Sequence, residues 1–444
     1  MKIIICGDGD TGSHLSRQLS LENQDVLLIG QDREHLADLD ARYNIMTMEG
    51  SGLSPADLRE AGVAGCDLFI AVTPWENNNM ISCQLARALG AARTVARIDN
   101  SGFMTDDIRR LFAATGIDTM VFPEFLAAGQ IESTLHRCWC RNWFELHDGQ
   151  LIVAGVRVAP GAPLDGRHLH ELAKSEHPFH VAAIKRRDMM IIPHGDDRIA
   201  AGDILYISIL PADIGHLPPQ CGAVSGQIRR IIISGADRMT RQLVKRIGGE
   251  FDITVIDADP EKCRRLSTMA PQVTVVNADQ RDIDVLREEG IDSADAFIGL
   301  NESSEMNIIG CMIAREAGVA KTIAEIEDIQ YIAEADALNI DVVVNKKLLT
   351  SSTIFQMLLD SGLPTPRCLA LEDAEVAEII VDEGSKATRR PVMDLNLPKG
   401  INIAGVIRDG VGRLVSGSTV LRGGDHVVVV CLSGALDKFT RTFR

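Results

Sequence analysis

Gly7-x-Gly9-x-x-Gly12 stands directly after an apolar run, Lys2 to Cys6, and directly before a helical pattern carrying Leu15 and Leu19. That spacing suits a turn that cradles phosphate. The first glycine permits a tight turn, the second lets a pyrophosphate approach the backbone, and the third lets helix and strand pack closely. The helix N-terminus adds free N–H groups. Asp8, Asp10 and Thr11 complete the loop. In such sites an acid ending the second strand binds ribose hydroxyls. Here that position is Gly30, with Asp32 two residues on. Arg97, near the end of the fifth expected strand, lies on the edge where ligands bind and is placed to pair with phosphate. An arginine at a lobe interface would look the same. The chemistry to which this set points is the binding of a dinucleotide or nucleotide.

The elements that position these residues occur twice. Leu58-Arg59-Glu60-Ala61-Gly62 returns as Leu286-Arg287-Glu288-Glu289-Gly290, and Asp67-Leu68-Phe69-Ile70 as Asp295-Ala296-Phe297-Ile298. Asn79, Ile81, Gly90, Thr94 and Ile98 recur at Asn307, Ile309, Gly318, Thr322 and Ile326, every pair 228 positions apart. One folding unit was duplicated and fused. In each half, short apolar strands alternate with glycine-stopped helices, which predicts a doubly wound parallel sheet of six strands, an α/β class. After about Gln150 the pattern changes. Leu151 to Val158 alternates like a half-exposed strand, and Val181 to Arg186, Met189 to Pro193 and Asp203 to Ile209 suggest further strands of a small α+β lobe. Leu217-Pro218-Pro219-Gln220-Cys221-Gly222 suggests a linker. The second small lobe matches the first at an offset of 222, Ala404 to Arg408 with Ala182 to Arg186 and Gly424-Asp425 with Gly202-Asp203. The expected order is a Rossmann lobe over 1–123, an exit helix and small lobe over 124–216, a second Rossmann lobe over 226–345, and a second exit helix and small lobe over 346–444.

The second glycine loop is altered. Gly235-Ala236-Asp237-Arg238-Met239-Thr240 keeps only the first glycine, yet Asp257 ends its second strand with the acid missing at Gly30, and Glu325 stands where the first half has Arg97. A carboxylate at the pyrophosphate position repels phosphate. The first site is expected to be competent, and the second degenerate, weak or altered in ligand.

Net charge is −17, which argues against nucleic acid, whose affinity comes from Lys and Arg neutralising phosphates. No apolar run approaches the roughly 18–20 residues needed to cross a bilayer. Met1-Lys2 runs straight into Ile3-Ile4-Ile5, so no secretory signal is expected and a cytosolic chain is. The 10 cysteines contain no CxxC pair, and Cys138-Trp139-Cys140 is read as free thiols. His168, His170, His177, His180 and His194 gather in the first small lobe and are read as solvated loop residues, so no metal site is expected. Trp75, Trp139 and Trp143 are expected to be packing or interface residues. Glu124 opens the exit helix, where an acid stabilises the helix dipole; a cation role is the alternative.

The whole chain resembles the TrkA family of Trk potassium-uptake regulatory subunits, built from RCK (KTN) domains. Gly7 to Gly12, Leu58 to Gly62 with Asp67, Asn79 through Gly90, and Ala96-Arg97-Ile98 carry the likeness, with the small-lobe pattern Val156 to Leu164 and Gly202-Asp203. The resemblance implies a non-enzymatic, cytoplasmic protein, peripheral on the inner face of the membrane, that docks on a TrkH- or TrkG-type potassium-translocating subunit. It implies a homotetramer forming a ring of eight RCK units, whose shape responds to NAD, NADH, ATP or ADP. Carried over by position, the ligand residues are Gly7 to Thr11, Gly30, Thr73, Pro74 and Arg97, and in the second half Gly235 to Met239, Asp257 and Glu325. An acidic chain is repelled by an anionic leaflet, so docking must come from basic loops of the partner and not from lipid. The rival readings are an NAD-dependent oxidoreductase, which needs a catalytic acid or base beside a substrate cleft, and a nucleotide-sensing adaptor with another partner.

Overall fold

The computed structural model describes residues 1–21, 24–43, 45–147, 149–172, 178–187, 189–223, 227–359, 367–371, 374–395, 397 and 400–432. Lobes that alternate along the sequence are sorted by kind in space. One compact unit holds Met1–Ser133 with Ile228–Phe355, and the other holds Thr134–Gln227 with Gln356–Arg444.

In the first half, β1 (Lys2–Cys6), β2 (Asp25–Gly30), β3 (Met46–Glu49), β4 (Leu68–Ala71), β5 (Thr94–Arg97) and β6 (Thr119–Val121) alternate with α1 (Asp10–Leu21), α2 (Arg33–Arg42), α3 (Pro55–Glu60), α4 (Glu76–Ala88) and α5 (Asp106–Ala114). The parallel order β3-β2-β1-β4-β5-β6 reverses direction beside β1, and that switch point is where ligands bind in such sheets. Ile3, Ile4 and Ile5 are fully buried because helices cover both faces of the sheet. The exit helix is α6 (Pro123–His136), shorter than the expected run to Arg141.

The first small lobe contains β7 (Asn142–Leu146), β8 (Leu151–Arg157), α7 (Leu169–Leu172), β9 (His180–Arg186), β10 (Met189–Ile191), β11 (Ile204–Ile209) and α8 (Leu217–Gln220). The sequence reading missed β7. It also took Leu217–Gly222 for a linker, whereas Leu217 and Cys221 are buried in the lobe's core around α8.

The second half repeats the plan. Its strands β12 (Arg230–Ser234), β13 (Asp252–Asp257), β14 (Thr274–Asn277), β15 (Ala296–Gly299), β16 (Lys321–Glu325) and β17 (Val342–Val344) alternate with α9 (Arg238–Ile247), α10 (Pro260–Met269), α11 (Ile283–Glu288), α12 (Ser304–Glu316) and α13 (Tyr331–Ala337), and α14 (Lys346–Leu359) is the exit helix. The order β14-β13-β12-β15-β16-β17 is the same as in the first sheet. The second small lobe is the antiparallel sheet of β18 (Arg367–Leu371), β19 (Ala374–Ile380), β20 (Ile401–Arg408), β21 (Val411–Leu414) and β22 (His426–Leu432).

Within the Rossmann unit each exit helix packs on the first helix of the other lobe. Arg246 of α9 meets Glu132 of α6 at 2.5 Å. On the other side Lys347 of α14 meets Asp10 of α1 at 2.5 Å, and the Ser351 hydroxyl donates to the Thr11 carbonyl at 3.3 Å.

In the small-lobe unit, Leu151 to Val156 of β8 are buried without interruption, which corrects the half-exposed strand expected there. Ile152, Ala154 and Val156 face their own lobe's core. Leu151 and Val153 face a shared core with Val376, Ala404 and Val428 of the second sheet. Leu151 sits so close to Gly405 that a Cβ there would lie 2.5 Å from it. Matched residues make matched ion pairs, Arg186 gripping Asp203 and Arg408 gripping Asp425 through two bonds each at 2.7–2.8 Å.

Candidate nucleotide site

Gly7 has φ +121°, and a Cβ there would lie 2.9 Å from the Thr73 amide, so only glycine fits. Gly12 is tighter still: its Cβ would lie 1.8 Å from the Gly7 carbonyl oxygen. Gly9 has open space around it, leaving its backbone bare to a ligand. Thr73 is fixed by Asn79, whose amide oxygen accepts from the Thr73 N–H at 2.9 Å and from its hydroxyl at 2.6 Å. The Asn79 side-chain amide in turn donates to the Arg97 carbonyl at 3.0 Å, clamping the ends of β4 and β5. Asn307 makes the same clamp between Asn301 and Glu325.

The acid missing at Gly30 is supplied from across the cleft. Asp8 Oδ2 accepts from the Gln31 and Asp32 amides, both at 2.8 Å, and a Cβ on Gly30 would lie 2.3 Å from that oxygen. Asp32 caps α2 by accepting from the Glu34 and His35 amides. The second half has the reverse arrangement. Ala236 stands at the loop position, and Asp257 at the strand end accepts from the Ala236 amide at 2.7 Å and from the Asp259 amide at 2.8 Å. Both halves therefore keep one carboxylate bridging the same two loops, carried by opposite sides.

A cavity of about 700 Å³ opens over this corner of the first half, lined by Cys6, Gly7, Asp8, Gly9, Gly30, Asp32, Thr73, Pro74 and the highly exposed Trp75. A second cavity of about 330 Å³ shares Gly9 and Pro74 with it and adds Asp10, Thr11, Arg97, Lys346 and Lys347. Volumes of this size hold cofactor-sized ligands. Arg97, Lys346, Lys347 and the amide end of α1 face the smaller cavity beside Asp10 and Glu327, and Asp8, Asp32 and Glu34 line the larger one with Arg33; phosphates that displace Asp10 and Glu327 from the lysines suit the first, and sugar hydroxyls the second. Arg97 pairs with Asp99 at 3.2 Å, and its Nε is buried without a partner among the described residues. Burial pushes the Cys6 thiol up to about 11, so it is no nucleophile.

The second glycine loop is filled by its own side chains. Thr240, at the position of Gly12, turns its hydroxyl onto the Gly235 carbonyl at 2.7 Å. Gly235 keeps the left-handed turn at φ +104°. Asp237 does not confront an open phosphate pocket: Lys262 pairs with it at 2.5 Å and with Glu302 at 3.3 Å. Arg238 points to Asp99 of the first half at 3.8 Å, and Ala236 and Met239 are buried. Glu325 is buried and pairs with Lys346 at 2.7 Å; burial raises its pKa and Lys346 opposes the rise. Its contacts therefore bear on the first half's cavity, where Lys346 sits.

Glu124 stands in the first turn of α6, where an acid suits the helix dipole, and is buried near Glu325 and Lys346. His168 and His170 bond to the Asp196 and Gly195 carbonyls, and His194 is exposed beside Asp197. His177 lies outside the described residues. Sequence reasoning missed Trp75, Lys346 and Lys347 as lining residues; the two lysines lie more than 330 positions from the glycine loop and carry no local signal.

Fold and site together define a duplicated Rossmann protein with one open glycine-loop cavity in its first half. Residues 3–123 and 231–346 match the TrkA-N domain, and residues 153–218 and 376–444 match the TrkA-C domain. The chain belongs to the TrkA family, as a tandem pair of TrkA-N and TrkA-C domains. It is 28% identical over 437 residues to the Trk system potassium uptake protein TrkA of Halomonas elongata, covering 97% of this chain and 95% of that one. It is 26% identical to the TrkA homolog 1 of Methanosarcina mazei over the full length of both. Among solved structures, the GsuK RCK domain aligns with TM-score 0.60 at 17% identity, covering 100% of this chain and 94% of that one. The GsuK channel bound to NAD gives TM-score 0.60 at 17% identity, over 100% and 78%. These likenesses identify the fold as tandem RCK units.

Proposed function

We propose that this chain is the nucleotide-responsive regulatory subunit of a Trk-type potassium transporter, and that it senses nucleotide in its first half. The observation that carries the reading is the paired cavity over Gly7–Gly12, with Asp8 and Asp32 at one end and Arg97, Lys346 and Lys347 at the other. That arrangement fits a nucleotide, with NAD or NADH as first candidates and ATP or ADP as alternatives. The site residues are Gly7, Asp8, Gly9, Gly30, Asp32, Thr73 and Pro74 around the sugar, and Asp10, Thr11 and Arg97 around the phosphates.

Because α14 of the second half brings Lys346 and Lys347 to the cavity, a ligand there bears on the contact between the two Rossmann lobes. A ligand shifts an equilibrium only by its difference in affinity between two states. A phosphate that competes with Asp10 for Lys347 supplies such a difference. No helix among the described residues is long and apolar enough to cross a membrane. Docking on the inner face of the membrane would come from an integral potassium-translocating partner, since a net charge of −17 opposes an anionic leaflet, and a homotetramer would supply the ring.

The test is potassium flux through the co-reconstituted membrane subunit, measured with and without each nucleotide. A nucleotide-dependent flux that vanishes when this chain is omitted is expected. Flux indifferent to all four nucleotides would end the proposal.

A further inference from the structure

Three titratable side chains converge in the small-lobe unit, away from the glycine loops. His426 opens β22 and its Nδ1 lies 2.6 Å from Glu378 Oε1. His147, in the turn between β7 and β8, brings its Nδ1 to 3.7 Å from the same oxygen. The two imidazole rings meet edge to face with centroids 5.0 Å apart. One ligating atom from each residue lies within 4.8 Å of the others.

The setting is unusual for polar groups. The Glu378 side chain is only 5% exposed, on a strand that otherwise buries Val376 and Ala377. Strand pairing places Glu378 where the first small lobe has Gly155, since these two face Val428 of β22 and Tyr206 of β11 respectively. By the same pairing His426 stands where the first lobe has Ile204. One lobe has thus exchanged a glycine and an isoleucine for a carboxylate and an imidazole, and the other lobe contributes a second imidazole to meet them. A buried carboxylate is costly unless a positive charge or strong donors face it. A single proton satisfies one imidazole; two imidazole nitrogens within 4 Å of one carboxylate oxygen make the donor set of a divalent ion of borderline softness.

We propose that His147, Glu378 and His426 form a binding site for a zinc-type divalent transition-metal ion, which ties the turn of the first small lobe to β19 and β22 of the second. Two nitrogen donors and one carboxylate oxygen leave a position for water, and nitrogen donors select against calcium and magnesium. Both imidazoles are 32% exposed, which gives the ion a path from solvent. Binding takes both imidazole Nδ1 atoms unprotonated and the carboxylate ionised, with any proton they hold released to solvent, and a small opening of the His426–Glu378 contact brings all three atoms to bonding distance.

The experiment is a cobalt(II) titration of the full chain, followed by zinc competition, with visible absorption and thermal unfolding as readouts. One equivalent is expected to give the d–d spectrum of a tetrahedral nitrogen and oxygen site, which zinc abolishes while raising the unfolding temperature. Loss of an outer-shell partner weakens metal sites about 10–100-fold, and loss of a ligand should cost at least that. His147→Asn preserves the turn because asparagine tolerates the left-handed backbone (φ 50°) found there, and Glu378→Gln preserves shape. Both variants should lose the spectrum and the zinc-dependent stabilisation. The absence of a cobalt spectrum in wild type, a thiolate charge-transfer spectrum, or an unchanged spectrum in either variant would overturn the proposal.

Discussion

His180 and Asn402 hydrogen-bond to each other at 3.1 Å, and they stand 222 positions apart, so each is the other's counterpart in the duplicated sequence. A residue that touches its own repeat marks a pseudo-two-fold axis, as in an isologous dimer interface. Asn402 extends the contact by donating to the Ala182 carbonyl at 3.1 Å. The small lobes are thus built as a covalent pseudo-dimer, and the contact between β9 and β20 is its centre.

That contact sets a pH dependence. Burial pushes the His180 pKa below its ordinary 6.5, and the Asn402 oxygen opposes this in part. His14 on α1 is lowered as well, by burial and by Arg17. The unfolded chain therefore binds more protons than the folded one as pH falls, so stability is full above about 6.5 and declines below it. Chemical denaturation across that range should show a shallower decline for His180→Gln than for wild type. Identical slopes would contradict the assignment.

The exchange of Asp8 with Gly30 against Ala236 with Asp257 makes a double-mutant cycle. Gly30→Asp forces a side chain onto the Asp8 carboxylate, which lies 2.3 Å from the added Cβ, and should cost about 2 kcal/mol through overpacking and like charge. Asp8→Ala combined with Gly30→Asp reproduces the second half's arrangement and should recover most of that loss. Urea unfolding of the four proteins measures the coupling; additive losses would show that the two positions do not share one carboxylate site.

Buried Glu325 and partly exposed Lys346 form a pair whose members are unequal to removal. Lys346→Met leaves the carboxylate buried without its cation and should destabilise by about 3 kcal/mol. Adding Glu325→Leu should restore most of the loss, because an apolar pair needs no compensation. If Lys346→Met falls within ~0.5 kcal/mol of wild type, as an ordinary surface change does, the pair is not structural.

The glycine loop, the repeat and the two six-stranded sheets could be read from the sequence because each is a local pattern. Gly7, Gly9 and Gly12 are set by spacing along one turn, and β1 announces itself by three consecutive isoleucines. What escaped is what converges from afar. Lys346 and Lys347 reach the first half's cavity only because α14 packs on α1. His147, Glu378 and His426 meet across more than 270 positions. The alternation of Leu151 to Val158 suggested one solvated face, but the second small lobe covers it. Asp237 seemed to bar phosphate by its charge; the structure pairs that charge with Lys262 from α10.

We propose that one nucleotide binds per chain, on the first half. Calorimetric titration of NADH and ATP into wild type, Gly9→Ala and Gly9→Asp tests it most directly. Nothing lies within 4 Å of a Cβ at Gly9, so both variants should fold, and only the aspartate puts a negative charge against the phosphates. One site per chain is expected, with a modest loss for Gly9→Ala and at least a roughly 100-fold loss for Gly9→Asp, about 2.7 kcal/mol. Two equivalent sites per chain, or binding that survives Gly9→Asp, would contradict it.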